Sequence, residues 1–125
     1  MAFGLRRISL EMPYVNLLSQ RDAIDRAIRG LQVAENPPRV LNVAGPITPV
    51  KDICLKLGEV LGKEPIFACE PAATALIAND EYCVKTFGPY RDGVDEMIEA
   101  AARWVAAEGE DWGLPTMFGK ADHIY

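Results

Sequence analysis

The organisation of the chain is clearest in residues 40–62, which read VLNVAGPITPVKDICLKLGEVLG. The first five residues, VLNVA, are mostly apolar and partly β-branched, a composition that predicts a short strand buried on both faces, as in a parallel sheet. Gly45-Pro46 then turns the chain. A buried strand that leads through a tight turn into a helix indicates an α/β fold.

A helix is predicted over residues 49–61, directly after this turn. Thr48 is expected to cap it, and Pro49 suits its first position, where a missing amide hydrogen costs nothing. Gly62 is expected to end the helix. The apolar residues that recur at helical spacing are Val50, Ile53, Cys54, Leu57 and Leu61.

The preceding segment repeats the same alternation. Residues 15–18 predict a short strand, and Ser19 followed by Asp22 is a typical opening of a helix, since the hydroxyl accepts an unpaired amide hydrogen and the carboxylate favours the positive helix end. Residues 20–34 are therefore predicted to be an amphipathic helix. Its apolar positions are Ile24, Ala27, Ile28 and Leu31.

The second half of the chain predicts a strand at 66–70, an extended piece at 74–77 and two helices. The first helix should begin at Asn79 or Asp80 and end at Gly88-Pro89. The second should cover 94–107, capped by Asp92, with Asp95, Glu96 and Glu99 on its solvated face. No regular structure is predicted for 112–125. The chain thus has short strands that alternate with about four helices.

Composition limits the classes of function. The chain has 125 residues, of which 50% are hydrophobic and 25% charged, as expected for a single globular domain over 1–125. The net charge of −5 and the lack of a basic stripe argue against nucleic-acid binding. Neither a run of about 20 apolar residues nor a leader is present, so no membrane association and a cytoplasmic location are expected.

Catalytic motifs are absent from the sequence. It contains no G-x-G-x-x-G loop, P-loop or G-x-S-x-G turn. One histidine and three cysteines without a C-x-x-C pair predict no metal site, and the cysteines are expected to be buried, reduced thiols. Arg21 with Asp25 and Asp22 with Arg26 are spaced for local helical ion pairs.

The candidate ligand contacts lie between the first strand and its helix. Asn16, Ser19 and Gln20 are polar side chains at this junction, and the carboxyl ends of strands face ligands in α/β folds. Three further stretches have a recognisable order and spacing. They are PPRVLNVAGP at 37–46, LGEVLGKEPIF at 57–67, and Phe87-Gly88 followed by a helix that contains Trp104-Val105.

Together with VNLLSQRD at 15–22, these stretches resemble the C-terminal portion of the NAD(P)-dependent epimerase/dehydratase family, the extended short-chain dehydrogenases/reductases. The similarity covers about residues 10–120. It implies the C-terminal, substrate-binding part of an extended Rossmann-type fold, in which 40–44 is the last strand of the sheet. An intact family enzyme uses NAD or NADP and acts on a sugar-like or small carbonyl substrate.

The resemblance does not extend to catalytic residues. The family's glycine-rich loop and Tyr-x-x-x-Lys pair belong to its N-terminal half, and Tyr82 and Lys85 are three residues apart instead of four. The chain alone is therefore expected to bind no cofactor and to have no activity. Nucleotide-sugar enzymes of the family often have an arginine in the loop that here reads PAATA at 71–75. Thr74 in this loop is a further candidate substrate contact.

Two hypotheses follow. In the first, the chain is a fragment or split part of such an oxidoreductase, whose partner is the missing Rossmann half, or which self-associates without it. In the second, it is a non-catalytic binding or interaction domain that reuses the fold.

Overall fold

A computed structural model describes residues 7–110 and residue 113. The described chain is a mixed α/β structure with four helices and a two-stranded antiparallel sheet. The elements in chain order are strand β1 (Tyr14–Asn16), helix α1 (Gln20–Gly30) with a 3₁₀ turn (Leu31–Val33), strand β2 (Ile47–Pro49), and helices α2 (Val50–Leu61), α3 (Glu81–Phe87) and α4 (Val94–Ala106).

The helices lie where the sequence predicts them, but two of their caps differ. Ser19 caps α1 as expected, and Gly62 ends α2 in the left-handed conformation with φ = 65°. Thr48 does not cap α2, because it belongs to β2 and its hydroxyl donates to the carbonyl of Pro46. Asp92 does not cap α4, since Gly93 is the residue that precedes the first turn.

The sheet is smaller than predicted. β1 and β2 pair over three residues each, with Tyr14 opposite Pro49 and Asn16 opposite Ile47. The predicted strand at 66–70 is reduced to a parallel bridge between Ile8 and Phe67. The Ile8 amide donates to the Ile66 carbonyl at 2.7 Å.

The predicted strand at 40–44 is absent, and residues 74–77 belong to no strand. Residues 40–44 run through the described structure without any hydrogen bond from their backbone amides or carbonyls to the rest of the described chain. A strand needs a neighbour to satisfy these groups. No described strand pairs with 40–44, so its strand-like composition has no sheet to join within the described residues.

The core is small. Its buried apolar side chains are Leu10, Cys83, Ile98 and Ala102. α2 packs against α4, and α1 contacts α3. Each helix of the described residues is too short and too polar to cross a membrane.

Helix α1 is oriented opposite to the expectation for an amphipathic helix. Ile24 and Ile28 of α1 and Leu31 of the 3₁₀ turn that follows it are 61%, 63% and 77% exposed, although they repeat at helical spacing. Its charged residues Asp22 and Arg26 are only 1% and 2% exposed. The helix therefore turns its charged face inward and presents an apolar stripe, Ile24, Ile28 and Leu31, to solvent.

Candidate functional site

The side-chain amide of Asn16 joins three segments at the end of β1. Its Nδ2 donates to the carbonyl of Gly45 at 2.9 Å and to that of Ala78 at 3.2 Å. Its Oδ1 accepts the amide hydrogen of Ala78 at 2.9 Å. The side chain predicted to contact a substrate is thus engaged by backbone groups of this chain, and it places the 71–78 loop beside the end of β1.

Gly45 occupies the tightest point of this junction. Its φ of 85° lies in the left-handed region, and a Cβ there would stand 1.9 Å from the carbonyl oxygen of Leu17. Its amide donates to the Asp80 carboxylate at 2.9 Å.

The Tyr90 hydroxyl donates to the same carboxylate. Burial, followed by this hydrogen bond to Asp80, raises the pKa of Tyr90 well above its usual range. The Tyr90 hydroxyl therefore acts as a hydrogen-bond donor that helps to hold Asp80 beside Gly45.

Asp22 holds the turn before α4. Its carboxylate accepts the amide hydrogens of Arg91 at 3.1 Å and Asp92 at 3.0 Å. Burial alone would raise the pKa of Asp22, but the amides of Asp92 and Arg91, the Ser19 hydroxyl and the positive charge of Arg26 together hold it below its usual value. The Asp22 carboxylate therefore has a structural role, because it holds α1 against the turn that precedes α4.

Arg26 binds the same turn from the other side. Its guanidinium donates to the carbonyls of Phe87, Gly88 and Pro89 at 2.7–2.9 Å. It also lies over the Phe87 and Tyr90 rings, with centroids at 5.8 and 4.9 Å. Its Nε has no hydrogen-bond partner within the described part of the chain. We refer to Asp22 and Arg26 with the turn at 87–92 as the polar clamp.

The ion pairs predicted within α1 were wrong. Arg21 pairs with Asp92 instead of Asp25, and Asp25 pairs with Arg29 at 2.9 Å and with Arg91 at 3.6 Å. An i, i+4 ion pair does form in α1, between Asp25 and Arg29, while Arg21 takes its partner from the turn before α4. Nothing in the sequence spacing alone indicates that Asp22 and Arg26 are buried.

The other predicted contact residues lie on separate elements. Ser19 is committed to capping α1, where its hydroxyl accepts the Asp22 amide hydrogen at 3.0 Å. Gln20 is exposed at the first position of α1, and Thr74 is exposed in the 71–78 loop. Gln20 and Thr74 make no side-chain hydrogen bond to other described residues, so both remain available to a ligand.

The Tyr82 side chain interacts with Arg39. The Tyr82 hydroxyl accepts a hydrogen bond from Arg39, whose guanidinium also lies 5.2 Å from the centre of the ring. Arg39 in turn pairs with Glu35 at 2.6 Å. This tyrosine therefore belongs to a surface cluster with Arg39 and Glu35.

The cysteines follow the prediction only in part. Cys83 is buried and Cys54 is half-buried, and burial raises the pKa of the Cys54 thiol. Cys69 is exposed, and its sulfur accepts the Leu10 amide hydrogen at 3.3 Å. Among the residues that the structure describes, no three His, Cys, Asp or Glu side chains cluster to hold a metal ion. His123 lies outside the described residues.

A cavity of about 220 Å³ lies beside the end of α1. It is lined by Gly30, Val33, Ala34, Glu35, Pro38, Arg39 and Leu41. Leu31 and Val40 are neighbours of these lining residues in the chain, and both are largely exposed. The cavity thus lies between the end of α1 and the segment at 38–41.

Comparisons with known proteins identify no relative. No family model, curated protein or solved structure matches the chain.

Proposed function

We propose that this chain is the substrate-side portion of an NAD(P)-dependent oxidoreductase of the epimerase/dehydratase type, and that it acts together with a separate nucleotide-binding half. The substrate is a sugar-like or small carbonyl compound. The chain contributes substrate contacts, and the other half contributes the cofactor site and the catalytic groups. This assignment rests on the resemblance of the four sequence stretches.

The structural observation that supports a second, covering half is the orientation of α1. Apolar side chains of this size are each worth about 1.5–3 kcal/mol when buried, so a stripe of three that faces solvent favours a covering partner. Exposed apolar surface of this kind is typical of an interface. A nucleotide-binding half of the proposed enzyme would supply that cover.

The substrate contacts that fit this role best are Gln20 and Thr74. Both side chains are exposed and make no hydrogen bond to other described residues. Asn16 places the Thr74 loop at the end of β1 through its bonds to Ala78. In this proposal, the side chains of Asn16 and Ser19 position the site through their hydrogen bonds to backbone groups. The proposal does not require either side chain to contact the substrate.

The experiment compares the chain alone with the chain co-expressed with a Rossmann-type nucleotide-binding half. By calorimetry, the chain alone is expected to bind neither NAD nor NADP, and tight binding of either would contradict the proposal. In the complex, Thr74→Val should raise KM for a small carbonyl substrate and leave cofactor affinity unchanged. Thr86→Val is the matched control, because the Thr86 hydroxyl bonds only within α3, to the Tyr82 carbonyl.

A second candidate is a non-catalytic interaction domain. The observation that favours it is the commitment of the Asn16 amide and the Ser19 hydroxyl to this chain's own backbone. Such a domain would be stable without a nucleotide-binding half. A monomeric chain that unfolds in one cooperative transition would support this candidate, whereas an aggregating or molten chain would favour the first.

A further inference from the structure

The cavity of about 220 Å³ at the end of α1 combines an apolar wall with a charged pair. Cavities of about 150 Å³ hold benzene, so this one has room for a single ring or a branched aliphatic group with a few polar atoms attached. It is therefore large enough for a small amphipathic molecule. The residues that give it an apolar lining are Gly30, Val33, Ala34, Pro38 and Leu41.

The charged part of the lining is the ion pair of Glu35 and Arg39, in which both side chains keep unused bonding capacity. Arg39 Nε donates to Glu35 Oε1 at 2.6 Å, and Arg39 Nη1 donates to the Tyr82 hydroxyl. Arg39 Nη2 and Glu35 Oε2 make no hydrogen bond within the described chain, and the Tyr82 hydroxyl still has its own proton to donate. Both charged side chains are about half exposed, so a ligand in the cavity can reach them.

The backbone makes one side of the cavity electronegative. α1 and the 3₁₀ turn that follows it end at Val33, and the last carbonyls of a helix carry a partial negative charge. A ligand ammonium group is favoured beside these carbonyls and Glu35. A ligand carboxylate is favoured beside Arg39 and the Tyr82 hydroxyl. The cavity therefore presents both signs of charge next to an apolar wall.

We propose that this cavity binds a free apolar α-amino acid, such as phenylalanine or leucine. Its carboxylate accepts hydrogen bonds from Arg39 Nη2 and the Tyr82 hydroxyl, its ammonium group donates to Glu35 Oε2, and its side chain fills the apolar part of the cavity. The inference does not rest on the proposed function. Gln20, a candidate substrate contact, lies at the other end of α1, about 15 Å away along the helix axis.

Other small ligands match only part of this lining. A carboxylic acid without an amino group leaves its charge beside Glu35 and the helix end without compensation. An amine without a carboxylate does the same beside Arg39. A wholly apolar molecule, or an apolar side chain of a partner protein, fills the cavity and brings neither charge. An apolar amino acid supplies all three groups in one molecule.

The test is a titration of the isotope-labelled full chain, followed by two-dimensional NMR, which reports both the affinity and the residues that respond. L-phenylalanine is expected to bind with a Kd on the order of 1 mM, because half-exposed ion pairs each contribute little. Two probes each lack one charge, namely 3-phenylpropanoate and phenethylamine, and both should bind at least threefold more weakly. Glycine, which lacks the apolar group, should not bind. The shifts should be confined to residues 30–41 and Tyr82.

Charge substitutions should reverse the ligand preference. Arg39→Gln frees Glu35, so it should weaken binding of L-phenylalanine at least threefold and strengthen that of phenethylamine. Glu35→Gln frees Arg39 and should instead strengthen binding of 3-phenylpropanoate. Loss of a merely structural ion pair would produce neither change. The matched controls are Arg103→Gln and Glu99→Gln, which break an i, i+4 pair of the same kind on α4 and should leave every affinity within twofold.

Filling the cavity should abolish the site without unfolding the chain. Gly30 has helical angles of φ = −53° and ψ = −28°, and a Cβ there would meet only Leu41, at 3.8 Å. Gly30→Leu should therefore be tolerated and should weaken binding of L-phenylalanine at least tenfold, because the new side chain takes the volume of the ligand. Ala27→Leu, at an exposed position of the same helix, is the control and should leave the affinity within twofold. Circular dichroism checks that the helices are retained.

Three outcomes would overturn the inference. The first is no response to L-phenylalanine at about 20 mM, well above the expected Kd. The second is equal binding of L-phenylalanine and 3-phenylpropanoate, which would leave an apolar cavity without amino-acid recognition. The third is binding that survives Gly30→Leu or shows no reversal of preference with Arg39→Gln and Glu35→Gln, which would place the ligand elsewhere on the chain.

Discussion

Replacing Asp22 by alanine is expected to lower the free energy of unfolding by about 3–5 kcal/mol. The carboxylate is 1% exposed and accepts the amide hydrogens of Arg91 and Asp92. Its removal leaves two amides without an acceptor, at about 1–3 kcal/mol each, and removes the negative charge beside the buried Arg26. Such a loss is a large share of the 5–15 kcal/mol typical of a domain.

The measurement is urea unfolding of the full chain followed by circular dichroism. Asp25→Ala is the matched control, because Asp25 lies one turn further along α1 and pairs with the partly exposed Arg29 and Arg91. Pairs of that kind contribute about 0–1 kcal/mol. An Asp22→Ala chain that unfolds at the same urea concentration as the Asp25→Ala chain would refute the polar clamp.

The pH dependence gives an independent check on Asp22. Its pKa is lowered in the folded chain, so its contribution to stability is fully present above the unfolded value, about 3.9, and is lost as pH falls through the lower folded value. Stability should therefore fall in acid below about pH 4. Asp22→Asn should flatten this acid limb, and an unchanged slope in the variant would show that other carboxyl groups produce it.

Three further substitutions and one control test the junction at the end of β1. Gly45→Ala should destabilise the chain by about 3 kcal/mol or more, measured by thermal unfolding, because φ is positive and the new Cβ would meet the Leu17 carbonyl. Asn16→Ala should cost about 1–2 kcal/mol and speed hydrogen exchange at Ala78, whose amide loses its acceptor. Ser19→Ala should cost about 1 kcal/mol through loss of the α1 cap, whereas Gln20→Ala should change stability by less than about 0.5 kcal/mol.

Local sequence signals predict the helices well and the sheet poorly. Ser19 and Gly62 mark helix ends because they act on backbone groups a few residues away. Residues 40–44 can form a strand only beside a second strand that is distant in sequence. No local pattern shows whether that second strand is present in the same chain. Residues 40–44 have the composition of a strand inside a sheet, but no strand of the described chain pairs with them.

The candidate site was predictable in its location but not in its bonding. Asn16 and Ser19 do lie at the predicted strand-to-helix junction, where their side chains bind backbone groups of the same chain. The inward face of α1 could not be deduced, because helical periodicity gives the two faces of a helix without saying which one faces the core. Asp22 and Arg26 looked like surface charges for that reason.

The polar clamp also sets the rotation of α1 about its own axis. Turning the helix by half a revolution would bury Ile24 and Ile28, but it would pull Asp22 from the Arg91 and Asp92 amides and Arg26 from three carbonyls. The isolated chain therefore has no low-cost way to hide these isoleucines. Under the proposed function, a chain without its nucleotide-binding half would keep these isoleucines exposed to chaperones and proteases, so its amount in a cell would follow the amount of that half.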